Sequence, residues 1–342
     1  MFGASSPYLQ PHHFQFDTSF RALKSQYPNY TGYSKNYSIT SGVINKQEVT
    51  EFVGTYQINS QASVSLALPF ENGSFSFLYG PSPPQFKSLS PYLQQPLKFR
   101  ARSRMRGRGF GDMTLVAHCW VLPTRHFTSG NVQFGLGVKF PTGQSNQKSI
   151  FPHIDGTDLG LHTNDQSIQP GDGSWGIITD LSAFKTVRLP IVHAATIFGF
   201  GTYLINTRGA NGAPSIGQSL SAPAAFAKSD PAEFTDAAVD QYAGEVGFNL
   251  PVPMFHGIYA SYAGRVEGVP GNNLVGSNAG FRRPGFVLFH EPGLSYAYGK
   301  NVWSLSVPIR CLQNITTVAV SHRHSDATVA NWIILARYSR QL

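Results

Sequence analysis

The stretch FQFDTSFRA, residues 14–22, alternates strictly between apolar and polar side chains. Phe14, Phe16 and Phe20 share one parity, and Asp17 stands on the other. Such alternation is typical of a β-strand with one apolar and one polar face, because successive side chains of a strand point to opposite sides. The segment therefore predicts a strand at a boundary between an apolar and a polar environment.

The same alternation returns along the whole chain. We count about twelve such segments, each close to the roughly 9 to 11 residues that a tilted strand needs to cross a bilayer. The pattern therefore predicts an all-β chain. The predicted strands are 13–24, 46–57, 62–70, 110–122, 130–140, 174–185, 194–205, 240–250, 256–267, 285–298, 301–311 and 331–342.

The connections between these segments alternate between short and long. This is typical of an up-and-down outer-membrane barrel, which has short periplasmic turns and long extracellular loops; a soluble sandwich, the alternative fold, has no reason to keep every long loop at one end. We expect one antiparallel transmembrane β-barrel domain over residues 13–342, preceded by a periplasmic segment over residues 1–12. The short connections are 58–61, 123–129, 186–193, 251–255 and 299–300, and the long ones are 25–45, 71–109, 141–173, 206–239, 268–284 and 312–330.

The composition supports a membrane setting. Only 13% of the 342 residues are charged, about half of the roughly 25% that is usual for a soluble domain. No apolar run reaches the roughly 18 residues of a transmembrane helix, so strands would have to make the crossing. We expect the outer membrane of a Gram-negative bacterium. The opening MFGASSPYLQPHHF lacks the basic and apolar regions of a secretory signal, so we expect the native chain to start upstream of Met1.

Polar side chains opposite the apolar parity should line the lumen. Charges of both signs at these positions should neutralise one another in a narrow interior. We expect them to form the network that sets selectivity; the alternative is that they only brace the barrel. These candidate lumen residues are Asp17, Arg21, Lys139, Asp180, Glu245, Arg265, Glu267, Glu291, Arg310 and Arg337.

The segment FRARSRMRGRG, residues 99–109, places an arginine at every second position. In the strand that follows, the polar residues Asp112 and His118 fall on even positions, so an upstream extension would carry the arginines on the same inward parity. Such a basic ladder at the outer mouth would attract anions. The alternatives are an outer loop that binds lipopolysaccharide phosphates or stays solvated, and, less favoured, an RNA-binding segment. The ladder comprises Arg100, Arg102, Arg104, Arg106 and Arg108.

Metal and catalytic sites are not expected. The aspartates of the loop at 155–172 could hold Ca²⁺, but their spacing matches no EF-hand or RTX repeat, and we interpret them as turn residues. No G-x-S-x-G motif is present, and His290 on the apolar parity has no assignable serine partner. The sequence therefore predicts no enzyme, no catalytic residue, no metal and no cofactor.

Several segments resemble a family of outer-membrane transporter-like proteins named for the meta-cleavage pathway of phenol degradation, related in style to the long-chain fatty-acid transporters. The resemblance implies an outer-membrane barrel that passes small, often hydrophobic or aromatic compounds, and it brings no catalytic site. Leu342 stands where the barrel-assembly signal should end in phenylalanine, which weakens that signal. The segments that carry the resemblance are HFQFDTSFRALKS (13–25), GFGDMTLVAHCWVL (109–122), VQFGLGVKFPTG (132–143), QPGDGSWGIITDLSAF (169–184), FGTYLINTRGANG (200–212) and FRRPGFVLFHEPGLSYAYGK (281–300).

Two functions follow as hypotheses. The first is passive uptake of small solutes, hydrophobic, aromatic or anionic, through the barrel. The second is a structural or adhesive barrel with a plugged lumen, in which loops 71–109 and 206–239 bind a partner or polysaccharide. The partners that we expect are outer-membrane lipid, lipopolysaccharide, the barrel-assembly machinery and a small-molecule solute, and no nucleic acid.

Overall fold

A computed structural model describes most of the chain. The described residues are 8–26, 42–79, 101–153, 156–190, 194–220, 230–318, 321, 325 and 327–342. Within these ranges, every helix is too short or too polar to cross a lipid bilayer.

The described residues form eighteen strands and almost no helix. One short helix, α1, spans Ile216–Leu220, and single 3₁₀ turns lie at Gln166–Ile168 and Pro231–Glu233. The strands are β1 (Phe14–Gln26), β2 (Ile44–Gln57), β3 (Ala62–Tyr79), β4 (Ala101–Phe110), β5 (Thr114–Trp120), β6 (Gly130–Lys139), β7 (Lys148–Phe151), β8 (Gly160–Thr163), β9 (Gly176–Val187), β10 (Ala195–Asn206), β11 (Ala210–Pro214), β12 (Thr235–Ala237), β13 (Gln241–Pro251), β14 (Ile258–Val269), β15 (Gly285–Tyr298), β16 (Asn301–Ser306), β17 (Ile309–Ile315) and β18 (Ala330–Gln341).

Fourteen of these strands make one closed antiparallel barrel. Neighbouring positions of the ring pair with each other, and β1 pairs with β18, so the ring of strands closes. β4 and β5 together occupy one position of the ring, and β16 and β17 occupy another, which leaves twelve positions. The predicted up-and-down barrel of about twelve strands is therefore confirmed, and the alternative of a soluble sandwich is wrong.

The two ends of the barrel differ. At the end where β1 begins and β18 ends, which we call the inner end, short turns join the strands. The opposite, outer end carries the long connections, including the β7–β8 and β11–β12 hairpins and α1. β3 and β4 also extend beyond their neighbours at this end and pair from Phe70 and Phe110 to Tyr79 and Ala101. Much of the predicted 71–109 loop is therefore strand.

The distribution of side chains is inverted relative to a water-soluble protein. Leu136 and Val246 are 63% and 66% exposed on the outer surface of the barrel, whereas Asp17 and Lys139 are 3% and 4% exposed inside it. A continuous exposed apolar surface is unfavourable in water and favourable in hydrocarbon. Exposed Trp175 lies near the outer end and exposed Trp303 near the inner end, as the aromatic girdles of a membrane barrel require.

Apolar clusters fill both ends of the lumen. At the outer end, side chains from the long connections pack against the strand walls, and we call this cluster the outer plug. At the inner end, Trp120, Phe184 and Phe198 pack together, and Tyr8 of the N-terminal segment packs against them. The outer plug consists of Phe75, Phe77 and Met105 from the barrel strands and Val43, Phe151, Ile168, Ile216, Leu220 and Phe281 from the connections.

A bulge reverses the direction of the arginine row. Phe70 of β3 pairs with Phe110, but Ala67 pairs with Thr114, so residues 111–113 insert one extra residue into this position of the ring. A one-residue shift moves every side chain upstream of it to the opposite face. The predicted inward-facing ladder is therefore wrong: Arg102, Arg104, Arg106 and Arg108 are exposed on the outside of the barrel, and Arg100 lies outside the described residues.

The residues between these arginines face inward and make room for the outer plug. Met105 is fully buried within it. A Cβ atom added to Gly107 would lie 1.8 Å from the carbonyl oxygen of Ile168. Gly73, which pairs with Gly107, would place a Cβ atom 2.8 Å from the Ile168 side chain. The two glycines thus form the groove in which Ile168 lies.

Candidate functional site: the barrel lumen

Arg265 of β14 is the centre of an ion-pair network on one wall of the lumen. Its Nε donates to Glu291 Oε2 at 2.5 Å, and its Nη2 donates to Glu245 Oε2 at 2.6 Å. Its Nη1 lies 3.5 Å from Glu267 Oε1. Ser306 donates its hydroxyl to the other Glu291 oxygen. The network arises because β13 places Glu245 directly opposite Arg265, while Glu291 of β15, opposite Ala263, and Glu267 lie one inward position away on the same parity.

Two further guanidiniums extend this network around the ring. Arg21 of β1 donates to both oxygens of Glu267, at 2.9 and 2.6 Å, which is a bidentate pair across the lumen. Arg337 of β18 donates to Asp17 at 2.9 Å. Every guanidinium named here therefore has a carboxylate partner, so the network presents no free cation to a solute.

Lys139 has a different setting. Its Nζ contacts Asp172 of the β8–β9 connection and lies 3.5 Å from Asp112 Oδ2. Asp112 also accepts hydrogen bonds from the backbone N–H groups of Gly143 and Asp172. This buried cluster fastens the connection that bears Ile168 to the rim of the barrel.

The remaining predicted lumen residues lie apart from the Arg265 network. Asp180 Oδ2 of β9 lies 3.4 Å from Nε2 of His118 of β5, and the two side chains meet across Gly135 of the intervening strand β6. Arg310 pairs in register with Phe289, but its guanidinium donates to Gln313, Asn331 and the carbonyl oxygen of Val329. The structure thus brings eight of the ten candidates into carboxylate–cation contacts, pairs Asp180 with a histidine, and leaves Arg310 among neutral partners.

A cavity of about 800 Å³ lies in the lumen between the Arg265 network and the outer plug. One part of its wall is apolar: Leu23 of β1, Val287 and Phe289 of β15, and Ile333 of β18 belong to one cluster. Arg21, Arg265 and Glu267 line it as well. The cavity therefore offers an apolar surface beside a set of mutually neutralised charges.

The outer connections cover this cavity. Gln169, Asp172 and Asp236 are among the residues that line it from this side. Asp236 is 1% exposed, and neither of its carboxylate oxygens has a hydrogen-bond partner among the described residues. Burial raises the pKa of Asp236 well above its usual value; Asp165 raises it further, and Arg283 opposes the shift.

At the inner end, Tyr8 narrows the lumen. Its ring packs edge-on against Trp120 and Phe184, with centroid distances of 5.0 and 5.8 Å. Its hydroxyl donates to the Phe127 carbonyl oxygen at 2.5 Å and accepts from Asn131 Nδ2 at 3.1 Å. Tyr8 is thus held at the inner end of the lumen by specific contacts.

Sequence reasoning missed three parts of this site. Glu51 lies on the inward parity of β2 opposite Ser19 of β1, but the alternation of β2 is weak because Glu48 is on the outward parity. Tyr8 precedes the first alternating segment and has no periodic signal. The plug residue Ile168 belongs to a 3₁₀ turn, where no periodicity marks an inward side chain.

One group outside the lumen could hold a metal ion. In the β7–β8 hairpin, His153 Nε2 and His162 Nε2 lie 3.5 and 3.8 Å from Asp158 Oδ2. The three ligand atoms lie within 4.8 Å of one another, a donor set suited to Zn²⁺ with water completing the coordination. His162 Nε2 also lies 2.9 Å from the Asp158 carbonyl oxygen, so a hydrogen bond accounts for part of this arrangement without a metal. The absence of a metal stays a prediction.

The aspartates that were considered for Ca²⁺ do not form one site. Asp165 pairs with Arg283 at 2.7 Å and caps the 3₁₀ turn, and Asp172 contacts Lys139. Asp158 lies beside the two histidines, and Asp155 is outside the described residues. The three described carboxylates therefore have separate partners.

Comparisons with known proteins identify the fold. No family model and no curated protein matches the sequence. An outer-membrane channel of Pseudomonas putida F1 aligns over 98% of this chain and 97% of its own at 11% identity, with a TM-score of 0.52. The β domain of the Bordetella autotransporter BrkA covers 97% and 100% at 11% identity (TM-score 0.44), and a Pseudomonas aeruginosa FadL homologue covers 96% and 89% at 8% identity (TM-score 0.41).

The first of these similarities confirms, at the level of the fold, the predicted resemblance to outer-membrane channels and transporters. The chain has the fold of an outer-membrane protein, which agrees with the predicted location. The prediction that it is not an enzyme stays a prediction.

Proposed function

We propose that this chain is an outer-membrane channel for the passive uptake of small solutes, which occupy the 800 Å³ cavity on their way through the barrel. The observation that supports this function is the cavity itself, because its volume lies in the range of roughly 300–1,000 Å³ that is usual for small-ligand sites. The barrel-assembly machinery would insert the protein, with β18 as the C-terminal strand that it recognises.

The chemistry of the cavity favours small apolar or aromatic solutes with one polar group. Leu23, Val287 and Phe289 offer an apolar surface, so an apolar body gains by leaving water there. Arg21 and Arg265 are already paired with carboxylates, and a solute anion would have to displace one of them. Of the solute classes predicted from sequence, the anionic one is therefore less well supported.

The outer plug supports the rival function, a structural or adhesive barrel with a closed lumen. Nine buried apolar residues fill the outer end, and connections of this kind offer surface for a partner. The two functions differ in whether ions and solutes pass. In planar bilayers, we expect stepwise conductance if the chain is a channel and no conductance if the barrel is closed.

A matched pair of variants on β15 tests the site of passage. Val287 lines the cavity, whereas Leu288, the next residue, faces outward. Val287→Phe adds bulk to the cavity, and Leu288→Phe places the same ring on the lipid side. The measurement is the block of single-channel current by a small neutral aromatic compound, with benzyl alcohol as the probe.

We expect Val287→Phe to weaken this block by at least about tenfold, since a filled cavity loses the apolar contact area. Leu288→Phe should match the wild type. A conducting wild type in which both variants show the same block would contradict passage through this cavity, and a silent wild type would support the rival function.

A further inference from the structure

The outward-facing arginines of β4 belong to a larger basic surface. In the register of the sheet, Arg106 pairs with Ser74, Ser74 with Lys46, and Lys46 with Lys24. Residues directly opposite each other on paired strands share a face, so three cations lie in one row across four strands. Arg104 and Arg108 flank this row on β4, at the positions two residues before and after Arg106, and all five cations are exposed.

This basic surface lies immediately beyond the apolar band. Phe110 pairs with Phe70, Phe70 with Thr50, and Thr50 with Phe20, which makes an aromatic row on the same outer face. Arg108 and Arg106 lie two and four residues before Phe110, which is about 7 and 13 Å along an extended strand in the outer direction. The headgroup layer occupies roughly 5–8 Å on each side of the hydrocarbon. A strand tilt of about 40° reduces the two heights to roughly 5 and 10 Å, so Arg108 lies within this layer and Arg106 at its outer limit.

A cleft of about 260 Å³ joins the two surfaces. Phe20 and Phe70 form its apolar side, and Glu48, Asn72 and Arg108 form its polar side. The guanidinium of Arg108 lies over the Phe70 ring, 5.4 Å from the centroid. Glu48 accepts a hydrogen bond from Asn72 at 2.8 Å. The cleft can thus hold an acyl chain against the rings while its cationic edge meets the headgroup.

We infer that this surface, Lys24, Lys46, Arg104, Arg106 and Arg108, binds the phosphate groups of outer-leaflet lipopolysaccharide. Guanidinium matches phosphate in a bidentate manner, and a row of cations at one depth matches a sheet of phosphates at a leaflet boundary. Among the described residues on the outer face of β1–β4, Glu48 is the one carboxylate beside these five cations, so the surface is strongly basic. The inference is independent of whether the lumen conducts.

The experiment compares two triple variants of the purified protein. Arg104→Gln, Arg106→Gln and Arg108→Gln together remove three cations from the outer surface. The control, Lys185→Gln, Lys300→Gln and Arg340→Gln, removes three exposed cations near the inner end. Binding of lipid A to the protein in detergent is titrated by native mass spectrometry, with dephosphorylated lipid A and inorganic phosphate as separate probes.

We expect the outer triple variant to lose affinity for lipid A by at least about tenfold and the control to keep it. Wild-type protein should bind lipid A more tightly than dephosphorylated lipid A, a comparison that needs no variant to fold. Equal affinity of both triple variants would overturn the inference. So would equal binding of the two lipids, or displacement of lipid A by inorganic phosphate at millimolar concentration, which would indicate generic anion binding.

Discussion

Lys139→Met should release the outer plug from the barrel wall. Lys139 ends β6, contacts Asp172 and lies 3.5 Å from Asp112. Methionine keeps the unbranched stem and removes the charge, so both carboxylates lose their cation. Because Asp112 also binds the backbone of Gly143, the change acts at the junction where the connection leaves the barrel.

The size of the effect follows from burial. The side chains of Lys139 and Asp112 are 6% and 9% exposed, so water compensates little for the lost partner. Removing one member of a buried ion pair costs about 3–5 kcal/mol. Asp172 is 23% exposed, and its partial solvation places the estimate near the lower figure. About 3 kcal/mol changes the ratio of docked to released plug by roughly 100-fold.

The assay is limited proteolysis of the connection after β6 in proteoliposomes, combined with single-channel recording. We expect faster cleavage in Lys139→Met and a larger conductance, because the released connection no longer fills the outer end. Adding Asp112→Asn and Asp172→Asn should restore much of the protection, since no unpaired charge remains. Lys185→Met, at an exposed position, is the control. If cleavage and conductance equal those of this control, the pinning role of Lys139 is wrong.

Three further perturbations address the lumen and its two ends. Arg265→Met leaves Glu245 and Glu291 without their cation, so we expect the free energy of unfolding to fall by about 3–5 kcal/mol. The reversal potential measured in a salt gradient should shift toward cation selectivity. An unchanged reversal potential would place Arg265 outside the ion path. Asp236→Asn removes an acid whose pKa is raised in the folded state, so the unfolded chain loses this proton first and wild-type stability falls as pH rises above the usual aspartate pKa. The melting temperature of the variant should therefore rise relative to that of the wild type as pH increases from about 4, and a difference that stays constant with pH would refute this. Tyr8→Ala removes the ring that packs on Trp120, at a cost of about 3 kcal/mol in docking of the N-terminal segment, and protease added at the inner end should cleave that segment faster than in the wild type. A Tyr8→Phe variant, which keeps the ring and loses the hydroxyl bonds, should be intermediate.

The barrel was predictable because its signal is local. Alternation at period two fixes which side chains share a face, and Phe16 and Asp17 lie on the outer and inner faces as their parities predict. The partners within the lumen were not predictable, since the contact of Arg21 with Glu267 needs the ring to close between β1 and β18.

The arginine row was misassigned because parity holds only without a bulge. One extra residue at 111–113 was enough to turn the whole upstream segment around. The sequence contains a signal of this bulge, the Gly-x-Gly-Asp motif that begins at Gly109 and precedes β5. In the structure, Gly109 has φ of 155°, a conformation that favours glycine. Reading that motif as an interruption of the strand would have placed the arginines outside.

The outer plug had no comparable signal. Phe151 and Ile168 come from connections, where apolar residues follow no period, and their contacts with β3 and β4 join distant parts of the chain. The two histidines of the β7–β8 hairpin are likewise nine positions apart in sequence and meet only because the hairpin pairs.

Hydrocarbon surrounds the outward-facing apolar residues of each strand, and the polar residues between them face the lumen. Nitroxide scanning of residues 132–139 on β6 in lipid bilayers tests this directly, after replacement of Cys119 and Cys311. Accessibility to oxygen should peak at the outward residues Phe134, Leu136 and Val138 and fall at the positions between them, with a period of two. Accessibility without this period, or highest oxygen exposure at the inward positions, would contradict this arrangement of the barrel in the membrane.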